Sequence, residues 1–187
     1  MRAQLLAAVK VLLALTLLVG VGYPLVVTGI AQVAFNHEAD GSLITKNGKV
    51  VGSELLGQAF AGEQWFQPRP SAADYDAQAS GGTNLGPTNP DLIDAVAQRV
   101  ADYRAANGLT GDEAVPVDAV TSSGSGLDPH ISKANARYQA RRVAEARGMS
   151  VKKVEQLIAD NTDEPSLGFL GEPGVNVLTL NLALQRH

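Results

Sequence analysis

The chain has 187 residues, with 15 basic and 19 acidic side chains and a formal net charge of −4 at pH 7. The first 35 residues contain two basic residues and no acidic one. The remaining residues therefore have thirteen basic and nineteen acidic side chains, a net charge of −6. A mildly acidic body argues against nucleic acid as the main partner. The chain has no cysteine, which leaves its redox compartment open.

An apolar stretch without charged residues runs from Val11 to Phe35. A bilayer core of about 30 Å needs roughly 20 apolar residues, and only a helix satisfies its own backbone hydrogen bonds in lipid. We therefore expect a head at residues 1–10, a transmembrane helix at residues 11–35 and a soluble domain at residues 36–187. A cleaved signal peptide and a buried core helix are the alternatives. The stretch is longer than a signal's apolar region, and core helices seldom stay apolar on every face.

The charges on either side of this stretch predict its orientation. Arg2 and Lys10 precede it, and Glu38 and Asp40 follow it. The positive-inside rule then places the N-terminus in the cytoplasm and the soluble domain outside the plasma (inner) membrane. Tyr23-Pro24 should bend the helix, because proline removes a donor and clashes with the preceding turn. A lone anchor does not need such a bend, which favours packing within a larger membrane complex.

The first part of the soluble region predicts a hairpin, a short helix and a strand. Asn47-Gly48 between β-forming residues indicates a two-residue hairpin turn. Ser53 is placed to cap a short helix that extends to Phe60. The segment Trp65–Pro70, punctuated by two prolines, predicts a strand end that runs into a turn.

A loop rich in glycine, Ser80–Pro90, precedes a helix that Asn89 caps and that ends at Asn107-Gly108. Backbone N–H groups and a helix start can together hold an anion. The alternative is a plain loop that needs positive φ at Gly81 and Gly82. We favour the plain loop, because no lysine follows to meet a phosphate.

A second glycine-rich loop, residues 120–132, leads into a helix that Ser132 caps and Gly148 ends. Arg137 and Arg141 lie one turn apart on it, so they form a basic stripe that either is solvated or meets carboxylates or phosphate. A further helix starts at Ser150. The tail, residues 175–184, alternates leucine with other residues and predicts a strand. The expected fold class is α+β, with one membrane helix and a single mixed soluble domain.

Catalytic motifs are not evident. A hydrolase would combine Ser122, Ser123 or Ser125 with His130 and Asp128 or Asp118, but Ser125 lacks the flanking glycines of a nucleophile elbow. Three scattered histidines give no metal-ligand spacing, and no P-loop is present. These residues indicate an accessory subunit with no catalytic or metal-binding residues of its own.

Several strings of residues, taken in order, resemble the C subunit of the bacterial Kdp-type potassium-transporting ATPase. The most specific are the residues from Ser125 to Ser132 (SGLDPHIS) and from Asn84 to Pro90 (NLGPTNP). The others are Tyr23-Pro24, Gly57-Gln58 with Phe60, Trp65-Phe66 with Arg69-Pro70-Ser71, Ser80-Gly81-Gly82-Thr83, Arg142-Val143-Ala144, Gly168–Pro173 and Val175-Asn176-Val177-Leu178 with Leu180-Asn181. The resemblance covers nearly the whole chain.

The resemblance implies a subunit of an ATP-driven, high-affinity potassium uptake complex. The implied partners are a channel-like subunit that carries potassium, a P-type ATPase subunit and a small membrane subunit, all within the lipid bilayer. The C subunit of this family is needed for assembly and is described as a catalytic chaperone that raises the ATPase subunit's affinity for ATP. The phosphorylation motif Asp-Lys-Thr-Gly-Thr is absent from this chain. ATP is thus a possible ligand by family description, and potassium is handled by the partners.

The candidate residues form two groups. The nucleotide or partner loop comprises Gln78, Ser80, Gly81, Gly82 and Asn84, within a string that resembles the signature motif of ATP-binding-cassette transporters. The candidate interface comprises Tyr23, Pro24, Arg69, Asp128, His130, Arg137 and Arg141. An extracytoplasmic domain lies across the bilayer from ATP, so we expect the loop to contact another subunit. The alternatives are a stand-alone anchored module that holds an anion in its glycine-rich loops, and a secreted hydrolase.

Overall fold

The structure is a computed structural model that describes residues 1–186, and it separates the chain into one unit at Met1–Ser53 and a second from Glu54 onward. The first unit holds α1 (Arg2–Leu15), a π-helical turn (Thr16–Gly22), α2 (Tyr23–Ala34), α3 (Asn36–Ala39), β1 (Leu43–Lys46) and β2 (Lys49–Ser53). The second holds α4 (Pro90–Asn107), α5 (Val117–Val120), β3 (His130–Ile131), α6 (Lys133–Arg147), α7 (Val151–Asp160), β4 (Thr162–Asp163), β5 (Gly174–Asn176) and α8 (Val177–Leu184). The predicted α+β class is confirmed.

The N-terminal helix runs without a break in helicity from Arg2 to Ala34, over 33 residues. At 1.5 Å per residue it is about 50 Å long, which exceeds a hydrocarbon core of about 30 Å. Its apolar side chains have no burial within the first unit, and it is the one helix of residues 1–186 that is long and apolar enough to cross a membrane. Residues 2–10, predicted as a separate head, are helical, and the boundaries of the membrane-crossing part stay a prediction.

A π-helical turn, Thr16–Gly22, precedes Pro24 in this helix. The Tyr23 N–H group donates to the Leu18 carbonyl, five residues back. Proline has no N–H to continue the usual pattern, and the rare π-helical turns occur mostly as single bulges inside α-helices. A widened turn therefore lies on the N-terminal side of Tyr23-Pro24, and the bend predicted there stays a prediction.

The hairpin of β1 and β2 confirms the turn predicted from Asn47-Gly48. Both residues have positive φ, 52° and 74°, as a type I′ turn requires. The strands pair antiparallel with a register irregularity between Ile44 and Thr45. The short helix predicted after Ser53 is wrong. The Ser53 hydroxyl donates to the Gly41 carbonyl at 2.7 Å, and residues 54–61 form turns and coil.

The second unit is built around a small antiparallel sheet in the order β3-β5-β4. Helices α6, α7 and α8 supply most of its hydrophobic core, and Phe66 is fully buried in it. The predicted caps of α4, α6 and α7 are confirmed. The side chains of Asn89, Ser132 and Ser150 each accept a backbone N–H from the first turn of their helix.

The strand predicted for the tail is wrong beyond Asn176. Only Gly174–Asn176 is a strand, and the residues from Val177 to Leu184 form α8. The Asn176 side chain accepts from the N–H groups of Leu178 and Thr179, which caps the helix. Val177, Leu180, Asn181 and Leu184 are all buried, and their spacing is that of one helix face.

The strand end predicted for Trp65–Pro70 is also wrong, since this segment has no regular secondary structure. Its backbone is held by side chains instead of a neighbouring strand. Asn181 accepts from the Phe66 N–H and donates to the Phe66 carbonyl, each at 2.9 Å. Gln139 does the same for Gln67, at 2.7 and 3.0 Å. The two amides thus satisfy the buried backbone in place of a sheet.

Candidate functional site

Two loops that the sequence singled out separately pack against each other, and we call residues 69–84 and 122–130 the paired loops. The Gly81 N–H and the Ser80 hydroxyl both donate to the Ser125 carbonyl, at 2.8 and 3.1 Å. The Ser71 hydroxyl donates to the Gly126 carbonyl at 2.6 Å. The glycine-rich strings of the sequence thus meet backbone to backbone.

Glycine at position 126 permits this close approach. Gly126 has a φ of 68°, and a Cβ added there would lie 2.8 Å from the Gly81 carbonyl oxygen and 3.0 Å from the Ala73 Cβ. Real Cβ atoms do not approach a backbone oxygen so closely, and positive φ disfavours other residues. The contact between the paired loops therefore depends on the absence of a side chain at this position.

Three of the predicted interface residues form a connected polar chain at the paired loops. Arg69 Nη1 donates to Asp128 Oδ2 at 2.9 Å, and Asp128 Oδ1 accepts from the His130 N–H at 2.9 Å. His130 Nε2 lies 2.7 Å from Asp163 Oδ2, whereas its Nδ1 lies 3.8 Å from Asp128 Oδ1. The chain joins the paired loops to β3 and β4. Within residues 1–186, the Arg69 Nε and Ser122 Oγ atoms are buried without a hydrogen-bond partner.

The ionisation of this chain is shaped by its contacts. Burial opposes ionisation of Asp128, but hydrogen bonds from His130 and Arg69 outweigh it and lower the pKa of the carboxyl to about 2. The pKa of the His130 ring is raised, because its contact with Asp128, the largest cause, and its contact with Asp163 together outweigh the lowering by partial burial. Asp128 is therefore charged at neutral pH. At a given pH, the His130 ring is protonated to a greater extent than a free histidine is.

Three backbone N–H groups of the candidate loop at residues 78–84 are already bonded, those of Gln78, Ala79 and Gly81. The Gly81 N–H is bonded to Ser125, and the Gln78 N–H is bonded to the Asp76 carboxylate at 2.9 Å. The positive φ expected at Gly81 and Gly82 is wrong, since the left-handed residue of this segment is Asn84, with a φ of 55°. Gln78, Ser80 and Asn84 are exposed. The geometry is that of a braced loop with exposed polar side chains.

The basic face of α6 divides into two sets with different contacts. Arg142 and Arg147 hold the coil before Phe66: Arg142 Nη1 donates to the Trp65 carbonyl at 3.0 Å, and the Arg147 guanidinium lies 4.3 Å from the centroid of the Trp65 ring. Burial lowers the pKa of Arg142.

Arg141 and Arg137 are exposed and line a surface pocket of about 510 Å³. The Arg141 side chain also donates to the Gly108 carbonyl at 3.2 Å.

Sequence reasoning missed the structural role of a set of buried amides and of Asp118. Gln139, Asn135 and Asn181 are fully or almost fully buried, and Asp118 accepts from the Ser132 N–H, the Ser132 hydroxyl and Asn135 Nδ2. Asn135 and Gln139 stand one turn apart on the apolar face of α6. The sequence does contain one signal for them: polar residues at helix positions that otherwise carry apolar ones. Such residues are significant because a buried amide needs a hydrogen-bond partner.

The arrangement of the serines and His130 differs from that of a hydrolase. The His130 ring nitrogens face Asp163 and Asp128, and the Ser125 hydroxyl accepts from the Leu127 N–H at 3.1 Å. Among residues 1–186, no group of three His, Cys, Asp or Glu side chains is placed to hold a metal ion. The predicted site residues of the first unit, Tyr23 and Pro24, lie in its apolar helix and are exposed.

These features define a class of protein with one apolar N-terminal helix and an α+β body braced by paired glycine-rich loops. The family described as KdpC, the K+-transporting ATPase c chain, matches residues 5–186. The chain is 56% identical over 188 residues to a potassium-transporting ATPase KdpC subunit of Mycobacterium bovis, and covers 100% of both sequences. It is 57% identical over 187 residues to that of Sorangium cellulosum, with 98% of each covered. Against that of Rhodospirillum rubrum it is 56% identical over 177 residues, with 93% of this chain and 91% of the relative covered. The chain therefore belongs to the K+-transporting ATPase c chain family.

Proposed function

We propose that this chain is a non-catalytic, membrane-anchored subunit of an ATP-driven, high-affinity potassium uptake complex. Its partners are a channel-like potassium-translocating subunit, a P-type ATPase subunit and a small membrane subunit. The match to the family over residues 5–186 supports this, together with relatives that are named as potassium-transporting ATPase subunits. The chain acts in the assembly and stability of the complex.

The body lies on the extracytoplasmic face of the plasma (inner) membrane. Arg2 and Lys10 accompany the N-terminal helix, whereas acidic residues follow it, and the positive-inside rule supports this orientation. ATP is then across the bilayer from the paired loops. Any effect of this chain on the ATPase subunit's affinity for ATP, including the chaperone role, is a coupling through the complex.

One observation supports contact of this loop with a partner subunit instead of with ATP. The Gly81 N–H and the Ser80 hydroxyl both donate to the Ser125 carbonyl. Anion sites need free N–H groups that converge on the ligand. A loop whose central donor is already bonded is better suited to present side chains than to hold phosphate. Gln78 and Asn84 are exposed and are therefore available to a partner subunit.

Topology can be tested with single cysteines, because the chain has none of its own. Thr45, Asp112 and Glu155 are exposed positions for substitution. Labelling of all three in intact cells by a membrane-impermeant thiol reagent is expected. Protection in intact cells with labelling after lysis would overturn the orientation and would make direct contact with ATP feasible.

Function can be tested by alanine at Ser80 and at Arg137 in the full-length chain. We expect each variant to weaken co-purification with the other subunits or potassium uptake, and to leave ATP binding by the chain alone unchanged. Lys152→Ala, at an exposed basic residue of α7, is the matched control. Tight binding of ATP or phosphate by the purified chain, lost on substitution of Ser80, would instead favour a stand-alone anion-binding module.

A further inference from the structure

The connection between β4 and β5 carries an exposed apolar tip, which we define as residues 166–170. Leu167, Phe169 and Leu170 are 83%, 73% and 52% exposed. Isolated apolar residues are common on protein surfaces, but a contiguous group that includes an aromatic side chain is typical of an interaction site. The tip adjoins one end of the paired loops, since His130, Ser166 and Leu170 line the same surface pocket.

The tip is an ordered turn. Ser166 and Leu170 exchange two backbone hydrogen bonds, each of 2.9 Å, and the Phe169 N–H donates to the Ser166 carbonyl at 3.3 Å. Its two central residues, Leu167 and Gly168, have φ values of 56° and 81°. These values are those of a type I′ turn. The apolar side chains are therefore held in place before any partner binds, which reduces the entropic cost of binding.

Leu167 is a poor choice for this backbone. The first central position of a type I′ turn requires positive φ and strongly favours Asn, Asp or Gly. An exposed leucine at this position gains no burial within the body and strains the backbone. A residue that violates a local preference without gain to the fold is expected where function requires its side chain.

The surroundings of the tip are acidic. Along the chain Asp163, Glu164 and Glu172 flank it, and no Lys or Arg occurs in residues 154–185. Glu164 is paired with Lys133 Nζ at 2.6 Å and Asp163 lies 2.7 Å from His130 Nε2, so within residues 1–186 Glu172 is the flanking carboxylate outside an ion pair. An anionic lipid surface attracts basic segments and repels acidic ones. Charge complementarity therefore favours a protein surface with basic residues around an apolar pocket.

We propose that the apolar tip inserts into an apolar pocket with a basic rim on a partner subunit of the same complex. Phe169 and Leu167 are the anchors, and the Glu172 carboxylate meets the rim. Aromatic anchors that fill pockets commonly dominate the binding energy of an interface. The proposal rests on the proposed function for the existence of the complex, and it adds the surface through which this chain joins it.

The test replaces the anchors in the full-length chain, co-expressed with the other subunits. The variants are Leu167→Asn and Phe169→Ser, and the control is Val117→Ser, at an apolar side chain that is 72% exposed. Recovery of the chain on an affinity-tagged partner subunit is measured in detergent. We expect about tenfold weaker association for each tip variant and unchanged association for the control. Leu167→Asn should not lower the melting temperature, because asparagine suits the turn better.

A photo-crosslinking residue in place of Phe169 identifies what the tip contacts, with the same residue in place of Val117 as the control. A cross-link from position 169 to a partner subunit supports the proposal. Cross-links to lipid alone would show that the tip meets the membrane surface and would overturn it, as would unchanged association of both tip variants. If the wild-type chain itself fails to join the other subunits, the proposed function fails. If it joins them and the variants match it, this inference alone fails.

Discussion

Replacement of Gly126 by alanine tests whether the close contact of the paired loops stabilises the body. Gly111 offers a matched control, because both glycines have a φ of 68°. An added Cβ at Gly111 meets nothing within 4 Å, whereas at Gly126 it would lie 2.8 Å from the Gly81 carbonyl oxygen. The two variants therefore share the backbone strain and differ in the steric overlap.

The expected magnitudes follow from these two terms. Alanine at a left-handed position costs about 1 kcal/mol relative to glycine, and this applies to both variants. Overpacking against backbone adds roughly 1–3 kcal/mol at Gly126. We expect the free energy of unfolding to fall by about 3 kcal/mol in Gly126→Ala and by about 1 kcal/mol in Gly111→Ala.

The assay is urea unfolding of the full-length chain in detergent, followed by the fluorescence of Trp65, the single tryptophan. Hydrogen exchange at the Gly81 amide gives a local measurement, since its bond to Ser125 should protect it in the wild type. Exchange at this amide should be faster in Gly126→Ala than in Gly111→Ala. Equal loss of stability in the two variants, with Gly81 still protected, would refute the view that the loops need this contact.

Three further changes have defined outcomes in the same assays. Asn181→Ala leaves the buried N–H and carbonyl of Phe66 unpaired. It should lower the free energy of unfolding by about 3 kcal/mol, a figure that already subtracts the small stabilisation from alanine's higher helix propensity. The pKa of His130 is raised in the folded body, so its contribution to stability is complete below about pH 6.5 and is lost as the pH rises through the folded pKa. His130→Gln should therefore remove part of the fall in stability that occurs as the pH rises above about 6.5. Leu167→Asn should raise the free energy of unfolding by about 1 kcal/mol, because it relieves left-handed strain.

The first two changes have controls, and the last two have outcomes that would contradict them. Gln156→Ala removes an exposed amide on α7 and should alter stability by less than about 0.5 kcal/mol. Asp163→Asn, which removes the 2.7 Å partner of His130, should reduce the same pH dependence without removing the imidazole. Identical pH profiles for wild type and His130→Gln would contradict the assigned role of the ring. A lower stability for Leu167→Asn would show that the leucine supports the fold itself.

Local features of the fold were predictable where a short string determines its own conformation. The turn at Asn47-Gly48 and the caps at Asn89, Ser132 and Ser150 depend on side chains and backbone groups a few residues apart. The strand predicted for the tail was wrong, because its local pattern fits two conformations. Its alternating leucines fit a strand, but Asn176 caps a helix and the buried spacing of α8 is helical. Periodicity over ten apolar residues does not distinguish the two.

Pairings across long separations could not be predicted. Arg69 and Asp128 were both singled out, yet their 2.9 Å contact joins residues 59 apart along the chain. The buried amides Gln139 and Asn181 were missed, because the backbone groups they satisfy belong to a distant coil without regular structure. Hydrogen bonding of that kind depends on which segments pack together.

The sequence by itself determined the apolar helix, the α+β class, the helix caps and the family, because length, periodicity, capping residues and contiguous motifs are local properties. Tertiary structure decided that the two glycine-rich loops face each other, that Gly81 is bonded to Ser125, and that α6 carries both half-buried arginines, which hold the coil before Phe66, and exposed ones. It also placed Leu167 and Phe169 on an ordered, exposed turn. The physical reason is that burial and hydrogen-bond partners are set by packing between segments, which no local pattern encodes.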